Sequence, residues 1–444
     1  MYKTLSFFLP VLFFKMIQTH ANDNLQTMST PIRFIPFTFT IILFSFFGTS
    51  TSAPDNTRTE PIPMRVEGAV FMPVQMDATE ERVSQLQVPA GFKVNKFAED
   101  LGNSRMIAVH PNGTVYVTAR DEGKVFLLRD TNRDGKADEK KVVLEKERVH
   151  GITIHDNKVY LATIKEVFRG DIRADGTFGE LQKIVDNLPD GAQHPNRTLG
   201  VGPDNKLYIS IGSSCNDCSE TNPEHATIVQ TNLDGSGRKV YAKGLRNTLG
   251  MAWHPQTKEM WGMDHGIDWL GDEEQKEELN RIVEGGNYGW PHVYEKGKLL
   301  EKNQPDGMTL EEYAKKTIHP ELLYDAHASG MGIVFYTGNQ FPQEYQNNAF
   351  VAFRGSWNRS QPVGDEVVRV RYQDGKPQRF EKFMTGFLVD GGKGHMGRIV
   401  GMALHNDGSL LVVDDANGVV YRVAHEQGAQ QRPQPKARPA RRGR

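Results

Sequence analysis

The chain holds a few side chains whose types and spacing could do chemistry. His194 lies in a polar loop, Gln193-His194-Pro195-Asn196-Arg197, just ahead of an alternating apolar stretch. A neutral imidazole there suits general-base work, because its pKa lies near working pH. Arg246 and Asn247, within GLRNTLG, precede another such stretch, and Arg354 and Arg398 flank later ones. A planar guanidinium fork suits carboxylates, which it can grip with two parallel bonds. Asp264 to Glu274 (DHGIDWLGDEE) forms an acidic loop, readable as a turn or as oxygen donors for a hard cation. Asp130-Thr-Asn132-Arg-Asp134-Gly135 opens like a calcium loop. Its twelfth position is Lys141, where an EF-hand needs Glu, so a tight surface turn is the preferred reading.

Cys215 and Cys218 are the only cysteines. Covalent haem would need a His at position 219, which is Ser. Thioredoxin-type chemistry would need a βαβ context. In an exported chain a small loop-stapling disulfide is the plain choice.

These residues need elements to hold them. The body repeats a short apolar strand, a Gly/Asn/Asp turn and an alternating strand. Examples are IAVHPNGTVYVTARDEGKVFLLRD (107–130), ITIHDNKVYLATIKEVFRGDI (152–172) and LGVGPDNKLYISIG (199–212). The pattern returns from 249, 331 and 400. Asn-Gly and Asp-Gly pairs between alternating strands are hairpin signals. Six units at this spacing predict an all-β fold, a six-bladed β-propeller rather than a seven-bladed one, with short helical inserts. Helical periodicity is strongest at 272–284 and 309–315.

The 444 residues carry 53 Lys+Arg against 55 Asp+Glu, a net charge of −2, with 38% hydrophobic residues. That balance argues against nucleic acid as the main partner. The charge is unevenly spread: 1–53 carry +2, 427–444 carry +6, and the body carries −10. Two apolar runs, 5–14 and 34–47, fall short of the ~18–20 residues of a spanning helix. The second follows Arg33 and precedes small residues ending at Ala53, the order of a secretory signal. The expected organisation is a leader at 1–53 starting at Met28 and an extension at 54–87. A propeller at 88–426 and a disordered basic Pro/Arg tail at 427–444 follow. An uncleaved membrane anchor is the other reading of the leader, and membrane contact is expected only through leader or tail.

Five stretches occur in order: HPNRTLGVGPDNKLYISIGSSCNDC, GLRNTLGMAWHP, DHGIDWLGDEEQKEELNRIVEGGNYGWP, FVAFRGSWNRS and GRIVGMALHNDGSLLVVDD. Together they resemble the sorbosone/soluble-glucose dehydrogenase family, which uses pyrroloquinoline quinone (PQQ). SSCNDC and GSWNRS point to its L-sorbosone dehydrogenase branch. The resemblance, over about 88–423, implies a six-bladed propeller, PQQ and Ca2+ as cofactors, and a periplasmic or secreted location. His194 falls on the family's catalytic base, and Arg246 and Asn247 on positions that contact the quinone. Arg354 stands where the glucose enzymes place a Lys. Arg398 matches one of a pair of cofactor-binding arginines, whose other member aligns with Met396. The backbone carbonyls of Gly266 and Ile267 fall on the calcium ligands, with Asp268 and Asp272 nearby. Where the glucose enzymes use an Asp to steer the base, Ser213 stands, so a hydroxyl, a water or Asp217 must take that part.

The resemblance implies oxidation of an aldose or aldehyde sugar to its lactone or acid. His194 takes the substrate hydroxyl proton, calcium acts as Lewis acid, and Arg246 stabilises charge developing on the quinone oxygen. No Cys-x-x-Cys-His motif is present, so electrons leave to an external acceptor, a quinone or c-type cytochrome. A calcium-dependent lactonase-type hydrolase and a non-catalytic binding propeller are the rival readings.

Overall fold

The computed structural model describes residues 67–426. The expected leader and basic tail, and the first part of the 54–87 extension, lie outside them. The described chain is almost entirely β, arranged as successive antiparallel sheets.

Sheet 1 comprises Ser104–Val109, Val115–Ala119, Lys124–Arg129 and Glu139–Glu145. Sheet 2 comprises Gly151–His155, Lys158–Ala162, Val167–Asp171 and Gln182–Val185. Sheet 3 comprises Leu199–Val201, Lys206–Ile211, Thr227–Asn232 and Lys239–Lys243, with Gly286–Asn287 added in parallel. Sheet 4 comprises Thr248–Trp253, Met260–Asp264, Glu277–Ile282 and Leu322–Tyr324. Sheet 5 comprises Gly330–Phe335, Ala349–Phe353, Glu366–Gln373 and Lys376–Met384. Sheet 6 comprises Ile399–Leu404, Leu410–Asp414 and Val419–His425. Its outer strand, Phe92–Ala98, comes from the other end of the body, pairing Phe92 with His425 and Lys96 with Tyr421.

The second strand of each sheet is apolar along nearly its whole length because both of its faces are covered. In Val115–Ala119, Tyr116 packs toward Ile152 and Leu161 of sheet 2. Val115 and Val117 turn the other way, toward Leu411 and Val413 of sheet 6. The same alternation places Phe350 and Ala352 against sheet 6 and Val351 and Phe353 against sheet 4. Apolar clusters also fill the gaps between sheets 2 and 3 and between sheets 3 and 4. First strands pack on one another in sequence order, and that of sheet 6 packs on that of sheet 1. Residues of all six first strands, among them Met106, Ile152, Leu199, Met251, Met331 and Met402, line a narrow space of about 90 Å³.

Tight turns join first to second strands. In His110-Pro-Asn-Gly113 and His405-Asn-Asp-Gly408 the glycine N–H returns to the histidine carbonyl at 2.8 Å. Both glycines have φ near +90°, a region a Cβ disfavours.

Helix is confined to short pieces, Glu80–Ser84 and Leu310–Ala314 among them. The second falls within the expected 309–315, and Thr309 and Glu312 close its first turn as a capping box. The expectation at 272–284 is corrected: Glu277–Ile282 is a strand. Its Glu, Gln and Lys content favours helix locally, but the gaps on both faces of sheet 4 need filling. Leu279 goes to the sheet 5 side and Ile282 to the sheet 3 side. Tertiary packing outweighs propensity differences of at most ~0.7 kcal/mol per residue.

Candidate active site

Several candidate residues, with others not named from sequence, lie where first strands begin and second strands end. Arg246 and Asn247 immediately precede Thr248–Trp253, and His265 follows Met260–Asp264. Ser329 precedes Gly330–Phe335, and Arg354 follows Ala349–Phe353. The hairpin turns lie at the opposite strand ends. A cavity of about 400 Å³ opens among these residues, within the range of small-molecule sites.

His194 is fixed first. Its Nδ1 lies 2.9 Å from the Ser213 carbonyl and 2.9 Å from the Ser213 Oγ. A carbonyl only accepts, so Nδ1 carries the proton. The Ser213 hydroxyl donates to the Cys215 carbonyl at 2.6 Å, which leaves its lone pairs free to accept as well. Nε2 is therefore unprotonated, and His194 lines the cavity. Burial pushes the His194 pKa down to about 2, with Arg246 acting in the same direction, so the ring is neutral at ordinary pH. Asp217 does not reach it; its carboxylate pairs with Lys302. Gly212 is required by space, since a Cβ there would stand 2.5 Å from His194 Cβ and 2.8 Å from Asn247 Oδ1.

Arg197 staples the loop that carries His194. It is fully buried and donates to the carbonyls of Pro189, His194, Asn196 and Ile164 at 2.7–3.1 Å. Burial lowers its pKa to about 10. Sequence reasoning passed over this residue.

Asp264 accepts the backbone N–H groups of Arg246 and Asn247 at 2.9 and 2.8 Å and the Thr248 hydroxyl at 2.7 Å. It thereby locks the start of sheet 4. The Arg246 side chain donates to the Asn216 carbonyl (3.0 Å), to Asn216 Oδ1 (2.8 Å) and to Asp268 Oδ2 (3.1 Å).

Two asparagines on the cavity wall share one arrangement. His265 Nε2 donates to the Gly330 carbonyl at 2.7 Å, which leaves Nδ1 to accept from Asn247 Nδ2 at 3.3 Å. His327 Nε2 donates to the Gly271 carbonyl at 3.0 Å, and its Nδ1 faces Asn358 Nδ2 at 3.3 Å. Asn358 Nδ2 also donates to Asp268 Oδ1 at 2.8 Å. Both carboxamide oxygens, Asn247 Oδ1 and Asn358 Oδ1, are buried without a hydrogen-bond partner. Buried acceptors of this kind ordinarily have partners. Sequence reasoning missed His265, His327 and Asn358; GSWNRS was the only signal toward the last.

Three further arginines reach the cavity, one of them, Arg120, paired with Asp121 at 3.2 Å. Arg105, Arg120 and Arg354 all line the cavity. Asp415 bridges two of them, accepting from Arg105 Nη1 and, at 2.6 Å, from Arg354 Nε. Burial lowers the Arg105 pKa to about 10. Arg105 was not singled out from sequence, because its partner lies 310 positions away. Arg398 stands apart: it lines a neighbouring recess and donates to the carbonyls of Arg354 (3.2 Å) and Gly355 (2.8 Å). Met396 is 1% exposed within the core of sheets 5 and 6.

Gly266 lines the cavity, and a Cβ there would stand 2.1 Å from the Gln275 carbonyl oxygen. Ile267 does not line it; its side chain packs with Trp290 and Leu300. Asp268 is on the wall, whereas Asp272 is engaged with Ser360 and Arg359 outside it. Glu277, also on the wall, accepts from the Gly330 N–H at 3.1 Å, and burial raises its pKa to about 7.

Cys215 and Cys218 are joined by a disulfide. In the 130–138 loop the carboxylates serve the chain itself. Asp130 accepts the N–H groups of Arg133, Asp134 and Gly135, and Asp138 takes those of Thr131 and Asn132.

The cavity thus gathers a neutral imidazole, two unpartnered carboxamide oxygens and four arginines. The chain belongs to the TrAA12-like family, whose model matches residues 86–426. An uncharacterised protein of Borreliella burgdorferi is 32% identical over 79% of this chain and 93% of its own length. A pyrroloquinoline quinone-dependent sugar dehydrogenase of Hypocrea jecorina is 23% identical over 73% of this chain and 81% of its own. The holo PQQ domain of pyranose dehydrogenase from Coprinopsis cinerea superposes with a TM-score of 0.67 at 20% identity. It covers 80% of this chain and 100% of that domain.

Proposed function

We propose that this protein is a PQQ-dependent sugar dehydrogenase, oxidising an aldose or aldehyde sugar to its lactone or acid. The observation that carries the proposal is the pairing of His194 with the Ser213 carbonyl, which leaves an unprotonated Nε2 in a cavity walled by arginines. Family membership supports the same reading. We also infer that the six sheets are blades of a closed propeller. Cyclic packing of their first strands and the apolar seam between sheets 6 and 1 support this.

The residues present fit PQQ and Ca2+. Arg105, Arg120 and Arg354 would offer charge-assisted donors to carboxylates, and Arg246 and Asn247, by the resemblance, would contact the quinone. The unpartnered oxygens of Asn247 and Asn358, the Asp268 carboxylate and the Gly266 carbonyl are oxygen donors of the type calcium prefers. The Ile267 carbonyl remains part of that proposed set. PQQ, when bound beside Ca2+, supplies the two-electron acceptor. His194 Nε2 then takes the proton of the hydroxyl being oxidised, and Nδ1–H stays on Ser213 throughout. Burial keeps the resting ring unprotonated, with its pKa far below the near-neutral value expected from sequence, so Nε2 has a free lone pair. Arg246, held by Asn216 and Asp268, offers positive charge where negative charge develops.

A sorbosone-type substrate is the finer proposal, resting on SSCNDC and GSWNRS. An external quinone or c-type cytochrome would receive the electrons. We place the protein in the periplasm or outside the cell, on the order of the leader and the preference of disulfides for oxidising compartments.

The test is titration of purified protein with PQQ and Ca2+, followed by dye reduction with a panel of aldoses and sorbosone. Saturable PQQ binding and sugar-dependent reduction are expected. His194→Ala should keep PQQ binding and lose ~10²–10⁴-fold in turnover. Lactone hydrolysis with Ca2+ alone and no PQQ binding would establish the hydrolase reading instead.

A further inference from the structure

The disulfide ring is short and lies beside the site. A ring closed between Cys215 and Cys218 restrains the unfolded chain far less than a long loop would. Its local contacts are out of proportion to its size. The Cys215 carbonyl accepts the Ser213 hydroxyl, whose oxygen faces His194 Nδ1. Asn216 accepts twice from Arg246, through its carbonyl and its Oδ1. The same Oδ1 accepts the Asp268 N–H at 2.8 Å, and Asn216 Nδ2 donates to the Asp268 carbonyl at 3.2 Å. Trp290 Nε1 also donates to the Asn216 carbonyl, at 3.2 Å. The ring's outer side is tied down by Lys302 on the Asp217 carboxylate and by Asn303 Nδ2 on the Asp217 carbonyl at 3.3 Å.

We infer that the Cys215–Cys218 ring is the shared positioning element of the site, with Asn216 as the positioning residue for Arg246 and Asp268 and Cys215 as the support of the Ser213–His194 pair. This rests on the proposed PQQ reading, but its geometry belongs to the protein alone. Neither Asn216 nor the cysteines line the cavity; they act through residues that do. The ring holds two consecutive peptide carbonyls, those of Cys215 and Asn216, in the directions that the base and the arginine require. An open loop would have to order these groups at a cost in conformational entropy for each residue fixed.

Asn216→Ala and the double variant Cys215→Ser/Cys218→Ser test the inference. In the PQQ-loaded protein each should lower kcat by ~10-fold or more, the scale of a lost hydrogen bond to a charged group, with KM for sugar little changed. PQQ affinity, read by fluorescence titration, should weaken in both. A readout free of PQQ is 15N-histidine NMR of the apoprotein. The His194 Nδ1–H resonance should be sharp in the wild type and exchange-broadened in the double variant. Melting curves identify a variant that fails to fold, and Asn216→Ala, with its disulfide intact, covers that case. Wild-type kcat and PQQ affinity in a folded Asn216→Ala, or an unchanged His194 resonance in a folded double variant, would overturn the inference. Failure of the wild type itself to bind PQQ would instead refute the functional reading, and the NMR result would still decide the positioning of His194.

Discussion

His194 Nδ1 and Ser213 are joined twice, ring nitrogen to carbonyl oxygen and ring nitrogen to hydroxyl oxygen, each at 2.9 Å. The carbonyl sets the tautomer and the hydroxyl adds a second acceptor. Ser213→Ala keeps the carbonyl, so the base survives. Turnover should fall only ~2–10-fold, the range of one neutral hydrogen bond, without a new limb in the pH profile. Ser213→Asp should behave differently. A carboxylate at Nδ1 favours the imidazolium and raises the His194 pKa from about 2. An acid limb should then enter the accessible pH range, measured as kcat/KM against pH.

Two neighbouring carboxylates on one strand predict how stability depends on pH. Burial raises the Glu277 pKa to about 7 and the Glu278 pKa to about 8, the latter aided by the nearby Asp264 charge. Below the ordinary carboxylate range both are protonated whether folded or not. As pH rises from about 4.5, the unfolded chain releases these protons while the folded chain retains them, so stability falls until the folded pKa values are passed. Through these two groups the apoprotein loses stability between pH 5 and pH 8, while buried neutral His194 acts the other way up to the ordinary histidine pKa of about 6.5. Glu277→Gln can still accept from the Gly330 N–H and lacks one of the two contributions, so its melting temperature relative to wild type should be higher at pH 8 than at pH 5. A melting-temperature difference between Glu277→Gln and wild type that is the same at both pH values would refute the assignment.

Met396 predicts the fate of an attempted repair. Its alignment with a cofactor-binding Arg suggests restoring that residue, yet the side chain is packed in the core among Phe387, Ile399 and Tyr421. An uncompensated buried charge typically costs ~3–5 kcal/mol. Met396→Arg should lower the denaturation midpoint strongly and leave PQQ affinity of the surviving folded fraction no better than wild type. Tighter PQQ binding in a stable variant would show that the position faces the site.

The legible parts of the molecule were the local ones. Strand pairs around Asn112-Gly113 and Asp407-Gly408 announced themselves through turn chemistry and alternation, because hairpins are built from adjacent residues. His194, Arg246 and Asn247 were legible because they sit beside such strands in recognisable stretches. Arg105 and Asp415 were not, since their pairing joins the first sheet to the sixth. The staple by Arg197 was equally hidden: four carbonyls converge on it only after the loop folds. Glu277–Ile282 was misread because its helix-forming side chains are overruled by packing on two faces. The ring at Cys215 could be read as a disulfide in an exported chain, but not as a support for His194, because that role depends on where the Ser213 hydroxyl turns.

The two arginines drawn from sequence alongside Arg246 should separate in experiment. Arg354 lines the cavity, and only its Nε is engaged by a side chain, Asp415, at 2.6 Å. Arg398 turns away, and its Nε and Nη2 are spent on the carbonyls of Arg354 and Gly355. Its backbone N–H is held by Asp414 at 2.8 Å, as that of Arg246 is held by Asp264, so the two occupy equivalent corners of different sheets. Arg354→Met should remove a charged donor to a PQQ carboxylate and weaken binding by ~10–150-fold, the range of a hydrogen bond to a charged group. Arg398→Met should change PQQ affinity only a few-fold, through the carbonyls it leaves unsupported at Arg354 and Gly355, and should lower thermal stability instead. Fluorescence titration of both variants with PQQ decides the matter. Equal losses of affinity would place both guanidinium groups on the ligand and refute the division drawn from their positions.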